Sequence, residues 1–128
     1  ELGLTPLARV VATAVSALSP EIMGLGPVEA SRRVLERAGM TIADIDLVEI
    51  NEAFAVQVIA SARELKIDPD KLNVNGGAIA LGHPFGMTGA RITTTLLSNL
   101  RAADGQFGLE TMCVGGGQGM AMILERTS

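Results

Sequence analysis

The chain has one histidine and one cysteine in 128 residues, and glycines surround both. His83 lies in Gly76-Gly-Ala-Ile-Ala-Leu-Gly-His-Pro-Phe-Gly-Met-Thr-Gly89, and Cys113 precedes Val114 and then Gly115-Gly-Gly-Gln-Gly119. An imidazole can serve as a general base, and a thiol as a nucleophile or proton carrier. Glycines let a ligand come close to the backbone, and consecutive free N–H groups can cradle an oxyanion. Pro84 restrains the chain just after His83 and helps hold the ring in one orientation. Asn51-Glu-Ala-Phe-Ala55 is a third feature, placed where a strand gives way to a helix. Each has an ordinary explanation too. The first could be a structural loop with a solvated histidine, the second a buried, inert cysteine beside a hairpin turn. The asparagine could be only a helix N-cap.

The same residues exclude other chemistry. A lone cysteine permits neither an internal disulfide nor a cysteine-based metal site, and a lone histidine excludes most histidine-rich ones, so no metal is expected. Neither G-x-x-x-x-G-K-[S/T] nor G-x-G-x-x-G is present, which disfavours phosphate-loop and dinucleotide binding.

The elements that must position these groups can be read from periodicity. Residues 9–17 are rich in β-branched side chains and read as a strand. Pro27 suits a helix start and Gly39 a helix end, with Val28, Val34, Leu35 and Ala38 at helical spacing between them. Asp44 to Ile50 alternates as a second strand, and 53–65 carries an apolar helical stripe. A turn at Asp68-Pro69-Asp70 leads to a short strand at 72–75. After the glycine-rich loop, Ile92, Leu96, Leu97 and Leu100 mark a third helix, with Thr88 as its expected cap. Leu109 to Val114 and Met120 to Glu125 are close enough to require an antiparallel hairpin. The order βαβαβαββ implies an α/β fold: a mixed, mostly parallel sheet with helices on both faces and an antiparallel strand at one edge. All three chemical features follow strand C-terminal ends, where open α/β sheets bind ligands. They should therefore converge.

Composition fits one domain spanning 1–128, with a core of Ala, Val, Ile, Leu and Met, since 48% of residues are apolar but only 2% aromatic. No apolar run approaches the ~18–20 residues of a membrane helix, and no signal peptide is visible. Net charge is −4 and the ten basic residues form no cluster beyond Arg32-Arg33, which argues against nucleic-acid or anionic-membrane partners. A reducing, cytoplasmic setting suits the free thiol. The chain opens with Glu1 and Glu1 to Pro6 reads as a mid-protein linker, which suggests a fragment or processed chain.

Asn51 to Ala55, Asn75 to Arg91 and Cys113 to Met122 resemble three thiolase motifs in the family's order, and Met23-Gly-Leu-Gly-Pro27 resembles a fourth. The resemblance runs from about residue 4 to the C-terminus and is to the C-terminal half of that family. It implies two similar halves, the N-terminal one, with the nucleophilic cysteine, and the loop domain both lying outside this chain. It implies that His83 activates that nucleophile and that Cys113 shuttles the substrate's α-proton. Asn51 would hold a water that forms an oxyanion hole with His83, and the Gly115 N–H would contribute to a second hole. Met23 and Phe54 would line the acyl and pantetheine pocket. The implied reaction interconverts 3-ketoacyl-CoA plus CoA with acetyl-CoA plus a shortened acyl-CoA. Coenzyme A is then a co-substrate and no cofactor is bound permanently; a homodimer or homotetramer is expected. Thr88 stands where many members have Ser, and Phe85-Gly-Met87 is a less common variant. Both should touch specificity or helix packing.

Other readings are a β-ketoacyl synthase-like condensing enzyme, a Cys–His hydrolase with Cys113 as nucleophile, and a non-catalytic thiolase-like module. Acyl-chain length and physiological direction, fatty-acid β-oxidation or biosynthesis, stay open at this level.

Overall fold

The computed structural model describes residues 2–127. Glu1 and Ser128 lie outside them, so the linker reading of Glu1 to Pro6 falls partly outside the described residues; 2–7 are exposed and irregular. The order is β1 (Ala8–Ala17), a 3-10 helix (Pro20–Leu25), α1 (Gly26–Ala38), β2 (Leu47–Ile50), α2 (Ala55–Leu65), α3 (Ala78–Leu81), α4 (Phe85–Ala102), β3 (Phe107–Val114) and β4 (Gln118–Arg126).

The four strands form one sheet in the order β1-β4-β3-β2. β2 and β3 pair parallel, while β4 pairs antiparallel with both β3 and β1. Three strands therefore share a direction and only β4 opposes them. The antiparallel strand is not at an edge, as the sequence suggested. It sits inside the sheet, because β1 adds to the free side of the β3–β4 hairpin.

The strand expected at 72–75 shrinks to one parallel bridge, Val48 with Leu72. Asn73 explains the stop. It turns to φ 44°, and its side-chain amide then accepts from Ile50 N–H and donates to Ile50 C=O, both at 2.9 Å. These are the groups a continuing strand would have paired.

Side-chain alternation splits the sheet's contacts between two helical layers. Val48 and Ile50 of β2, Leu109 of β3, and Ala121 and Ile123 of β4 pack with α1 and α2. Leu47 and Leu124 turn the other way, onto Leu96 and Leu100 of α4. Gly39 ends α1 at φ 66°, as its position in the sequence implied. The α4 start differs from expectation: the helix begins at Phe85, after Pro84, so Thr88 lies within it, buried. The loop also contains the short helix α3.

Candidate active site

Three segments converge at the C-terminal ends of β2 and β3. The first leaves β2 at Asn51, whose N–H still pairs with Thr111 C=O of β3 at 3.0 Å. Asn51 is fully buried. It is not a helix cap, since that position belongs to Phe54. Glu52 ties this segment to the glycine-rich loop. Its carboxylate accepts from Ile79 N–H at 3.0 Å and from the Asn73 amide at 2.9 Å. A Cβ on Gly77 would lie 2.6 Å from that carboxyl carbon. Neither Glu52 nor Asn73 was singled out from the sequence, because a clamp between segments leaves no local periodic signal.

The loop then delivers His83. Its Nδ1 is 2.6 Å from Thr88 Oγ1, and the Thr88 hydroxyl donates to Pro84 C=O at 3.2 Å. With its proton given to a carbonyl, the hydroxyl can only accept from the ring, so Nδ1 carries the hydrogen. Nε2 is left as the basic nitrogen, 3.3 Å from the Asn51 amide nitrogen. The Phe85 ring packs edge-on against the imidazole, centroids 5.0 Å apart. Thr88, expected as a cap, instead sets the tautomer of the histidine.

Cys113 comes from the end of β3, free and 9% exposed. Burial raises its pKa above the ordinary thiol value. An apolar setting disfavours the thiolate. The hairpin after it is pressed against the start of α1. A Cβ on Gly119 would fall 2.0 Å from Gly26 C=O, and one on Gly26 only 2.3 Å from Gln118 C=O. Glycine at both places lets the 3-10 helix bring Met23 alongside.

His83, Cys113, Met23, Phe54 and Gly115 all line one cavity of about 550 Å³, with Met112 and Val114 completing its apolar side. Asn51 lies just beneath, against the imidazole. A Cβ built on Gly115 would meet nothing within 4 Å, so the space beside its Cα is open. The arrangement joins an oriented base, a protonated thiol and an amide donor around an apolar pocket. It suits moving a proton to or from carbon beside a polarised carbonyl.

Fold and site together define a mixed α/β domain that sets a histidine and a cysteine on one apolar cavity at its strand ends. Residues 4–126 match the family model described as "Thiolase, C-terminal domain". The chain belongs to the thiolase family. It is 56% identical over 124 residues to an acetyl-CoA acetyltransferase of Escherichia coli (strain K12), covering 97% of this chain and 32% of that protein. It is 57% identical over 129 residues to a 3-ketoacyl-CoA thiolase of Marinomonas sp. (strain MWYL1), covering 98% and 33%. The crystal structure of human mitochondrial 3-ketoacyl-CoA thiolase superimposes with a TM-score of 0.95 at 52% identity, covering 97% of this chain and 32% of that one. The same human enzyme in complex with CoA gives 0.94. The chain thus spans about a third of the length of the relatives it matches.

Proposed function

We propose that this chain is the acid/base half of a thiolase-type acyltransferase acting on CoA thioesters. The observation that carries this reading is the shared cavity, in which the thiol of Cys113 and the imidazole of His83 face one apolar space. In the cleavage direction, a cysteine of the N-terminal half gives its proton to His83 Nε2 and attacks the 3-keto carbon of a 3-ketoacyl-CoA. The Cα–Cβ bond breaks, its electron pair forms the enolate of acetyl-CoA, and the shortened acyl group stays on that cysteine. Cys113 gives its Sγ–H proton to the enolate carbon. The thiol of a second CoA then gives its proton to the Cys113 thiolate and attacks the acyl-cysteine, the leaving cysteine takes back the proton held on His83, and a shortened acyl-CoA leaves. Condensation runs the same steps backwards.

The remaining roles follow. Asn51 supplies an N–H donor beside His83, where enolate charge develops, and Gly115 N–H serves the tetrahedral intermediate. Met23 and Phe54 line the acyl side. A buried, protonated thiol suits the proton-donating half of the cycle. No helix among the described residues is long and apolar enough to cross a membrane. We assign the assembled enzyme to the cytoplasm, as a homodimer or homotetramer of two-half subunits, degrading or building acyl chains. Phe54, Val56 and Ile59 of the α2 region are at least half exposed, an apolar stripe the N-terminal half would cover.

Mass spectrometry of the trapped acyl-enzyme tests the division of labour. Cys113→Ala in the two-half enzyme should lower the carbon–carbon step by roughly 10²–10⁴-fold, the usual worth of a general acid or base. Acyl loading of the other cysteine should persist. Loss of loading would instead make Cys113 the nucleophile, as in the hydrolase reading.

A further inference from the structure

On the α4 side of the sheet, below Asn51 and His83, lies a buried charge cluster that the chemistry above does not use. Glu49 of β2 and Glu110 of β3 are direct partners in the parallel register, 1% and 6% exposed. Both reach toward α4. Glu49 Oε1 accepts from Asn99 Nδ2 at 3.1 Å, and Asn99 Oδ1 accepts from Asn75 Nδ2 at 2.7 Å. Glu110 Oε1 accepts from Thr93 Oγ1 at 3.0 Å. The cation between these carboxyls is Arg91, the residue that closes the glycine-rich motif. Its Nη1 stands 3.9 Å from Glu49 Oε2, while its Nη2 reaches the other way and donates to Asn51 Oδ1 at 3.4 Å.

Stability alone is a poor reason for this cluster. Buried ion pairs are often no more stabilising than apolar residues of the same volume, and here two carboxyls share one cation. Orientation is a better one. A guanidinium offers only donors, so the carbonyl end of the Asn51 amide must face Arg91. The NH₂ end is thereby committed to His83. A flipped amide would set N–H against N–H at Arg91 and present an oxygen lone pair to the basic nitrogen.

We propose that Arg91, ion-paired with Glu49, is a positioning residue that keeps the Asn51 amide aimed N–H-first at the His83 side of the site. This rests on the reading of Asn51 as a donor to the developing enolate. The chain of contacts runs from Asn75 through Asn99, Glu49 and Arg91 to Asn51, so the loop that carries His83 also braces the group facing it.

The test uses the assembled two-half enzyme with acetoacetyl-CoA and CoA. Arg91→Lys keeps a charge for the carboxyls but loses the two-armed fork. Arg91→Met with Glu49→Gln removes one charge of each sign. In both, kcat should fall ~10–100-fold, part of what losing one oxyanion donor costs, with KM within about 2-fold and acyl loading from acetyl-CoA retained. Asn51→Ala alone should cost at least as much. Added to the Arg91→Met/Glu49→Gln pair, it should cost under about 3-fold more, since both act through one donor. Folded variants with kcat within about 3-fold of the parent, or effects of Asn51 and Arg91 that multiply, overturn the inference. The Lys variant decides alone if the paired substitution does not fold. An Asn51→Ala enzyme with unchanged kcat would place the fault in the reading of Asn51 itself, and the inference falls with it.

Discussion

The sheet presents two unlike faces to its helices. Toward α1 and α2 it offers Val48, Ile50, Leu109 and Ile123, none more than 2% exposed, and these meet Val28, Val34, Leu35, Val58 and Leu65. Toward α4 the buried apolar cluster is smaller, Leu47, Leu96, Leu100 and Leu124 with Leu97 and Met122 against it, and nearer the site the sheet turns Glu49 and Glu110 toward Arg91 of α4. Burying a large aliphatic side chain contributes ~1.5–3 kcal/mol, whereas a buried ion cluster contributes little net. The α1/α2 face thus stabilises the half-domain, and the α4 face spends stability on direction at the end where chemistry occurs.

The largest effect that could break this comparison is expected on the dry face. Leu109 is fully buried at the centre of the sheet. Leu109→Ala should cost ~2–5 kcal/mol, lost transfer free energy plus the residual cavity. Urea unfolding measures it. A loss well under 1 kcal/mol would mean that this face is not the main source of stability.

The α4 face should answer to pH instead. Burial is the leading cause that raises both Glu49 and Glu110 from 4.5 to about 7, against the lowering effect of Arg91. Between those values the folded chain holds protons that the unfolded chain has released. Stability from these groups is therefore fully present below about 4.5 and is lost as pH rises through about 7. The loss is at most ~3 kcal/mol for either group, and less for the pair, because deprotonating one hinders the other. Exposed carboxylates such as Asp44, held low mainly by the Thr41 N–H, act with the opposite sign and at lower pH. Unfolding at a series of pH values reads the slope, and Glu110→Gln should flatten it. A slope of the other sign between pH 5 and 7 would show that Arg91 outweighs burial.

The dry face was legible in the sequence because its signals are periodic. The spacing of Val28, Val34 and Leu35 and the alternation through Ile50 each reflect one side of one element. The His83 loop, the Cys113 hairpin and their shared cavity were legible for another reason: rare residue types stand among glycines and follow strand ends. What escaped are groups whose partners lie on other elements. Asn73 ends a strand through a residue 23 positions away, and Glu52 braces a loop 27 away. The placement of β4 inside the sheet depends on where β1 docks, which hairpin spacing does not encode. Thr88 has the composition of a helix cap, and only the Pro84 carbonyl and the His83 ring reveal what its hydroxyl does.

The smallest effect sharpens the comparison from outside. Helix α2 turns Val58 and Leu65 into the dry core but leaves Val56 74% and Ile59 50% exposed, with Phe54 at 65% just before it. For the 128-residue chain alone, Val56→Ser should change stability by no more than ~0.5 kcal/mol, as surface substitutions usually do. In the two-half enzyme the same position should lie against the N-terminal half. The substitution should then cost ~1–2 kcal/mol, much of the worth of burying a valine. Thermal unfolding of both forms, with and without Val56→Ser, separates the cases. Equal small shifts would leave the α2 stripe in solvent and remove the reason for assigning it to the other half. A larger shift only in the assembled form would make α2 a helix shared between two cores, with the half-domain's dry face continuing beyond this chain.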